Sequence, residues 1–165
     1  QMIPGEPAAY YELAKIFDYA DQKQLALDNA KKAVELDGEN YWYRYFYAYS
    51  LQKIGDTENA IKQYKKLVEL NPENPELFYD LAGMQLYVGK YEEAIKSYNK
   101  LEEKMGISEE ISLQKQKVYI KLNDIDKAAA EVQKLIDKYP EETKYQGYLA
   151  DLYLANNLNE KAFEI

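Results

Sequence analysis

The segment AIKQYKKLVELNPENPELFYDLA, residues 60–82, contains the pattern that decides the fold of this chain. Its first five residues, AIKQY, return as AIKSY at residues 94–98, after a step of 34 residues. Alanine keeps that step along the whole chain, at Ala26, Ala60, Ala94, Ala128 and Ala162. Self-similarity at a fixed period is the sequence signature of a repeat architecture. The sequence therefore predicts an array of equivalent units.

Other positions follow the same period. A small residue recurs at Ala14, Ala48, Ala82 and Ala150, with Gln116 as the exception, and a turn residue recurs at Gly55, Gly89, Asn123 and Asn157. A small residue at a fixed position lets two helices approach closely, and glycine or asparagine between amphipathic stretches ends one helix before the next begins. Each unit is therefore predicted to be two antiparallel helices of about 14 residues.

These signals also give predicted helix bounds. The first helices are expected near residues 7–20, 41–54, 75–88, 109–122 and 143–156. The second helices are expected near residues 22–36, 57–71, 91–105 and 125–138, with a further helix that starts near residue 159.

One stretch competes locally with this scheme. YWYRYFYAYS, residues 41–50, places tyrosine at every second position, and such alternation is typical of a half-buried strand. The 34-residue register aligns Tyr47 and Ala48 with Leu13 and Ala14, which assigns the stretch to a first helix instead. On a helix, Trp42, Tyr45 and Tyr49 share one face. We therefore expect a helix with an unusually aromatic surface.

The repeated residues resemble the tetratricopeptide repeat family. Its pattern of aromatic, leucine, small residue, aromatic, then alanine, aromatic and proline is matched by YYELAKIF at residues 10–17 and by Ala60, Tyr64 and Pro72. The resemblance implies an all-α, right-handed superhelical solenoid of antiparallel helix pairs, with four full repeats and a truncated fifth. The implied single domain, residues 1–165, has repeats at about 7–40, 41–74, 75–108, 109–142 and 143–165.

The fourth repeat departs most from the family pattern. Ser112, Lys115 and Gln116 stand where an aromatic residue, leucine and a small residue are expected. We therefore expect its first helix to pack differently. The last helix is cut off at Ile165 without a polar cap, so we expect a piece of a longer array in which Leu149, Leu152 and Tyr153 are partly exposed. Such an open end predicts end-to-end self-association of the fragment.

Composition excludes several classes of function. The chain has no cysteine and no histidine, which removes thiolate chemistry, the commonest metal ligands and the commonest general base. Its formal charge of −8 argues against nucleic-acid binding, and no apolar run approaches the roughly 20 residues of a membrane span. No glycine-rich phosphate loop, metal-ligand spacing or isolated carboxylate pair is present. We predict no enzyme activity, no cofactor and no metal site.

The resemblance also suggests where a partner binds, because first helices of this family line a concave groove. The residues predicted to form that groove are Tyr11, Lys15, Trp42, Tyr45, Tyr49, Lys53, Tyr79, Tyr87 and Lys117. Tyr11, Tyr45 and Tyr79 stand 34 residues apart at a position where the family often uses tyrosine, so both a scaffold role and a ligand role remain open for them. Trp42 and Tyr49 are not explained by the family pattern, which favours a ligand contact.

The predicted function is a protein–protein interaction scaffold that binds a peptide segment in this tyrosine-rich groove. The nearby lysines favour a segment with apolar side chains and some acids. The alternative is carbohydrate binding, in which exposed aromatic rings stack on sugar rings. The sequence does not distinguish a cytoplasmic from a bacterial periplasmic location, and it does not name the partner.

Overall fold

A computed structural model describes residues 5–165 and contains ten helices and no strand within that range. The helices are α1 (Pro7–Tyr19), α2 (Lys23–Leu36), α3 (Tyr41–Lys53), α4 (Thr57–Leu70), α5 (Pro75–Tyr87), α6 (Tyr91–Met105), α7 (Glu109–Lys121), α8 (Ile125–Lys138), α9 (Lys144–Ala155) and α10 (Asn159–Phe163). The predicted bounds of α1 to α9 and the predicted start of α10 differ from these by at most one residue, whereas α10 ends at Phe163 instead of running to Ile165. Within the described range, none of the helices is both long enough and apolar enough to cross a membrane.

The turn inside each helix pair has the same backbone geometry in every repeat. Its central residue has a positive φ in all five repeats, at Asp21, Gly55, Gly89, Asn123 and Asn157. These positions are 34 residues apart, and glycine, asparagine and aspartate are the residues that tolerate the left-handed conformation best. The sequence period and the backbone period therefore coincide, which confirms the predicted solenoid of helix pairs.

The chain divides into two compact units, the first ending at Met84 and the second beginning at Gln85 within α5. In the first unit α1 packs on α2, α2 on α3 and α3 on α4. The alanines of the repeat lie in this interior: Ala14, Ala48 and Ala60 are fully buried and Ala26 nearly so. Leu67 and Tyr64 of α4 are also buried. Small residues at these positions let the helices approach closely, as the sequence predicted.

The aromatic stretch is helical, as the repeat register predicted and local alternation did not. Asn40 caps α3, because its side-chain oxygen accepts hydrogen bonds from the backbone amides of Trp42 and Tyr43 at 3.0 and 3.3 Å. Only Ala48, Ser50 and Leu51 of α3 are buried, and its other aromatic residues lie half-exposed or exposed. Burial at helical spacing therefore overrides the strand-like pattern.

Arg44 occupies a packing position where the family pattern has an aromatic residue. Its guanidinium donates to the carbonyl oxygen of Gly38 through Nε and Nη2, and to Oε1 of Gln63 through Nη1 at 2.7 Å. A Cβ on Gly38 would stand 3.2 Å from Nη2, so the turn before α3 is fitted to this side chain. Arg44 thus joins the α2–α3 turn to α4 by a planar fork of donors.

The second unit has its own core. Residues of α8 and α9 form its centre: Ala128, Ala129, Val132, Leu135, Tyr145, Leu149 and Leu152. Leu149 and Leu152 are each 5% exposed, so the expectation that they are partly exposed at an open end is wrong. They are covered because α9 packs on α8 and α10 packs on α9. Tyr153 is half-buried against the same core.

The departure of the fourth repeat from the family pattern is explained by a buried ionic network. Lys115 of α7 is 1% exposed, and its ammonium lies 3.0 Å from Glu102 of α6 and 2.8 Å from Glu131 of α8. Lys134 contacts both carboxylates, at 3.1 and 3.0 Å. A lysine thus replaces the expected leucine because two acids and a second lysine complete its surroundings. Ser112, also fully buried, has no hydrogen-bond partner for its hydroxyl among the described residues.

This network predicts a pH dependence of stability. Burial alone would raise the pKa of Glu102, but hydrogen bonds from Lys115 and Lys134 hold that pKa below its usual value of 4.5. A carboxyl whose pKa is lower in the folded state contributes stability above its unfolded pKa and loses it as the pH falls through its folded pKa. We expect the free energy of unfolding of the parent, relative to Glu102→Gln, to fall as the pH drops below about 4.5.

Urea denaturation at a series of pH values measures this difference. The comparison with Glu102→Gln cancels the contribution of carboxyl groups outside the network, which the substitution leaves in place. A difference between the two proteins that stays constant from neutral pH to pH ~3 would contradict the assignment, since protonation of Glu102 must then leave the network unaffected.

Candidate functional site

Seven of the nine predicted groove residues lie in the first unit, and Tyr87 and Lys117 lie in the second. Within the first unit, most of the predicted residues fall into two groups that contact different neighbouring helices. One group joins α3 to α1, and the other lies near the start of α3 and reaches α4. Tyr79 of α5 is 37% exposed in the same unit.

The first group, called here the α1–α3 cluster, consists of Tyr11, Tyr43, Phe46 and Tyr49 with the charged residues beside them. The Tyr11 ring lies 5.2 Å from Tyr43 and 5.7 Å from Phe46, and Phe46 lies 5.6 Å from Tyr49, measured between ring centroids. All four rings are half-buried. Tyr11 and Tyr49, both predicted from the sequence, therefore belong to one continuous aromatic contact between parallel positions of two repeats.

The charges of the α1–α3 cluster are paired within the chain. Lys15 lies 2.8 Å from Glu12 and 4.9 Å from the centre of the Tyr11 ring. Lys53 lies 2.9 Å from Asp18 and 5.2 Å from the centre of the Tyr49 ring. Hydrogen bonds with Tyr49 and Asp18 raise the pKa of Lys53. Both lysines thus already have an acid and an aromatic face as partners.

The second group, called here the Trp42 patch, consists of Tyr41, Trp42 and Tyr45. The Tyr41 ring meets Trp42 edge-on at 5.0 Å and stacks on Tyr45 at 5.8 Å with an interplanar angle of 17°. Tyr45 also touches buried Tyr64 at 6.1 Å, and the two hydroxyls are hydrogen-bonded. Tyr45 is therefore anchored to the core. Trp42 is 62% exposed and packs on Tyr41, which in turn stacks on Tyr45.

The second unit contains a different concavity. An open pocket of about 460 Å³ lies between α7 and α9. Its lining residues include Leu113, Lys117, Ile120, Tyr148, Asp151 and Leu152. Lys117 therefore borders an aliphatic pocket with an acid on the opposite helix. Tyr87, at the end of α5, is 83% exposed.

Several contributors to these surfaces were not among the predicted site residues. Asp18 binds Lys53, and Tyr43 and Phe46 fill the α1–α3 cluster, while Tyr41 is the ring that holds Trp42. The available signal was the repeat itself. First helices of neighbouring repeats contact each other, so residues about 31–35 apart in sequence come together. Among the described residues, no group of three or more acids could hold a metal ion.

Two models of known protein families match the chain. Residues 48–83 match the family model described as TPR repeat, and residues 116–165 match the model described as Tetratricopeptide repeat. Together these matches include α4 and α8, which carry the alanines Ala60 and Ala128 of the 34-residue period. No curated protein matches the chain in sequence.

Solved structures show the same fold at low sequence identity. The crystal structure of MamA protein has a TM-score of 0.72 at 19% identity, covering 96% of this chain and 86% of MamA. YrrB, described as a TPR protein with an unusual peptide-binding site, has a TM-score of 0.66 at 19% identity, covering 94% of this chain and 80% of YrrB.

A tetratricopeptide repeat protein from Parabacteroides merdae ATCC 43184 also has a TM-score of 0.66, at 23% identity over 98% of this chain and 63% of that protein. At such identities the similarity concerns the fold alone. The repeat period, the periodic turn geometry, the two family matches and these shared folds agree. The chain belongs to the tetratricopeptide repeat family.

Proposed function

We propose that this chain is a non-catalytic scaffold that binds a peptide segment of a protein partner on the aromatic surface of its first unit. The tetratricopeptide repeat fold itself supports a role as a protein–protein interaction scaffold. Repeat arrays of this kind present extended surfaces made from equivalent positions of successive units. Our candidates for that surface are the seven predicted groove residues of the first unit, together with Tyr41 of the Trp42 patch.

The observation that carries the proposal is the exposure of Trp42. A tryptophan that is 62% exposed leaves a large apolar area in water, although its ring packs edge-on against Tyr41. Its backbone is fixed, because the Asn40 cap accepts a hydrogen bond from the Trp42 amide. A rigidly presented tryptophan loses little conformational entropy on binding, which is why tryptophan is enriched among energetically dominant interface residues.

The carbohydrate alternative receives no comparable support. A sugar ring stacks on a flat, accessible aromatic face, whereas the faces of Tyr11 and Tyr49 have lysine ammonium groups above them. Tyr45 lies between Tyr41 and Tyr64. Of the predicted aromatic residues in the first unit, only Trp42 exposes more than half of its surface, and one such ring favours insertion into a protein partner over a stacking platform.

The proposal predicts that Trp42→Ala abolishes most of the binding energy for its ligands. Peptides are selected on the full chain from a random displayed library and their affinities are then measured by calorimetry for the parent and the variant. An anchoring tryptophan should cost about 2 kcal/mol or more when truncated, which is about thirtyfold in Kd. The exposed position of Trp42 predicts that the variant folds normally.

Phe163→Ala is the matched control, since Phe163 is also an exposed aromatic residue at 86% but lies on α10. It should leave the affinities unchanged. If Trp42→Ala alters the affinity of every selected peptide by less than about 0.5 kcal/mol, Trp42 is not an anchor and the proposed surface is wrong.

A further inference from the structure

The Trp42 patch has a shape suited to a cation. Tyr41 and Trp42 meet at an interplanar angle of 86°, so two aromatic planes stand almost perpendicular around an exposed corner. Tyr45 extends the Tyr41 plane by stacking on it at 5.8 Å. Aromatic faces attract ammonium and guanidinium groups through the negative potential above the ring, and tryptophan does so most strongly.

Two carboxylates of α5 act on Tyr41, one of the rings of this patch. Glu76 and Asp80 both lie close enough to Tyr41 for their charges to raise the pKa of its hydroxyl, with burial as the larger cause. Asp80 is half-buried and accepts a hydrogen bond from the Tyr64 hydroxyl, which in turn bonds Tyr45. The carboxylate of Asp80 is thus held in place by the aromatic residues that support Trp42.

Asp80 lies in surroundings that disfavour its negative charge. Burial and the neighbouring Glu76 raise the pKa of Asp80, which is the effect expected for a carboxylate without a cationic partner. The neighbours that shift the pKa of Asp80 are the acid Glu76 and the hydroxyl of Tyr64, and neither carries a positive charge.

Elsewhere the chain places its own lysines over tyrosine rings. The ammonium group lies 4.9 Å from the ring centre for Lys15 on Tyr11, 5.2 Å for Lys53 on Tyr49 and 4.8 Å for Lys144 on Tyr145. In two of these cases an acid also binds the lysine from another helix, Asp18 for Lys53 and Glu109 for Lys144. The Trp42 patch combines the same two elements, aromatic rings and nearby acids.

We propose that the Trp42 patch, with Glu76 and Asp80, binds an arginine or lysine side chain of the partner segment. The inference rests on the proposed function and specifies its ligand: a basic segment of a protein. It revises the expectation of an acidic segment, because Lys15 and Lys53, which were predicted to attract acids, are paired with Glu12 and Asp18. The formal charge of −8 favours the same basic partner.

The fluorescence of Trp42 provides a direct readout, because it is the only tryptophan in the chain. Two acetylated and amidated peptides are compared, one selected on the full chain from the displayed library and one with every arginine and lysine replaced by glutamine. We expect the basic peptide to change the Trp42 emission and to bind about tenfold more tightly at low ionic strength than its glutamine counterpart. Added salt should reduce that preference.

The carboxylates are tested by Glu76→Gln and by Glu76→Gln with Asp80→Asn. The single variant leaves the bond between Tyr64 and Asp80 intact and should weaken the basic peptide about threefold, and the double variant about tenfold. Asp28→Asn with Glu35→Gln makes the same change of net charge on the exposed face of α2 and should leave the affinity almost unaltered. A thermal melt of each variant checks the fold.

The outcomes separate this inference from the proposed function. Peptides whose binding depends on Trp42 but which lack basic residues, or which bind equally after both carboxylates are neutralised, overturn the cation site and leave the scaffold proposal standing. An equal loss of affinity in the α2 control also overturns the site, since it indicates a diffuse effect of net charge. If no selected peptide depends on Trp42, the proposed surface and this inference fail together.

Discussion

Replacing Lys115 with methionine is expected to destabilise the second unit by about 3 to 5 kcal/mol, the largest effect predicted for a single substitution in this chain. The Lys115 side chain is only 2% exposed and contacts Glu102 and Glu131, whose side chains are 17% and 6% exposed. Its removal leaves two buried carboxylates to share Lys134. A buried ion that loses its partner keeps its desolvation cost without the attraction that offset it.

The same reasoning predicts that replacing both Lys115 and Glu131 destabilises the chain less than replacing Lys115 alone. Lys115→Met combined with Glu131→Met removes one positive and one negative charge and leaves the pair of Lys134 and Glu102, which are 3.1 Å apart. Buried ion pairs replaced by apolar residues of similar volume are often neutral or stabilising. The double variant should therefore be more stable than the single variant, although it carries one more substitution.

Hydrogen exchange of the amides in α7 and α8, together with urea denaturation followed by circular dichroism, measures the loss in the unit where it arises. Lys127→Met is the matched control, because Lys127 pairs with Asp124 at 2.6 Å but is 64% exposed. An exposed pair of this kind contributes at most about 1 kcal/mol. If Lys115→Met is no more destabilising than Lys127→Met, the buried network does not stabilise the second unit.

The fold was predictable because its signal is repeated. Alanine recurs at one position of all five repeats, and a turn residue recurs at a second position. Each of these preferences is weak by itself, but five repetitions make the helix–turn–helix pattern unambiguous. The positive φ at Gly55, Gly89 and Asn123 has the same period. Lys115 is an exception to the repeat pattern in the sequence, but the pattern does not predict that it is buried. Whether a lysine is buried depends on acids from two other helices, Glu102 and Glu131, and one sequence does not show that these point inward together.

The candidate site was predictable to the level of helix and phase. The sequence placed Tyr11, Lys15, Tyr49 and Lys53 on first helices, and the structure joins these residues in one cluster. It did not separate them from Trp42 and Tyr45, since side chains on one helix face lean toward different neighbours according to rotamer and local packing. The ion pairs between neighbouring repeats could have been predicted from the period, because Lys53 and Asp18, and Lys144 and Glu109, are each 35 residues apart.

Replacing Ala60 with leucine is expected to destabilise the first unit by about 3 kcal/mol, which tests the alanine spacing that identified the fold. Ala60 is fully buried in α4, so three added carbons must displace the neighbouring helices or adopt strained rotamers. Urea denaturation followed by Trp42 emission and circular dichroism measures the change. Ala162 of α10 has the same phase but is half-exposed, so Ala162→Leu should stay within about 0.5 kcal/mol of the parent. If the two substitutions had equal effects, the alanine at this phase would not be required for close helix packing. The 34-residue spacing would then mark the repeat without explaining its stability.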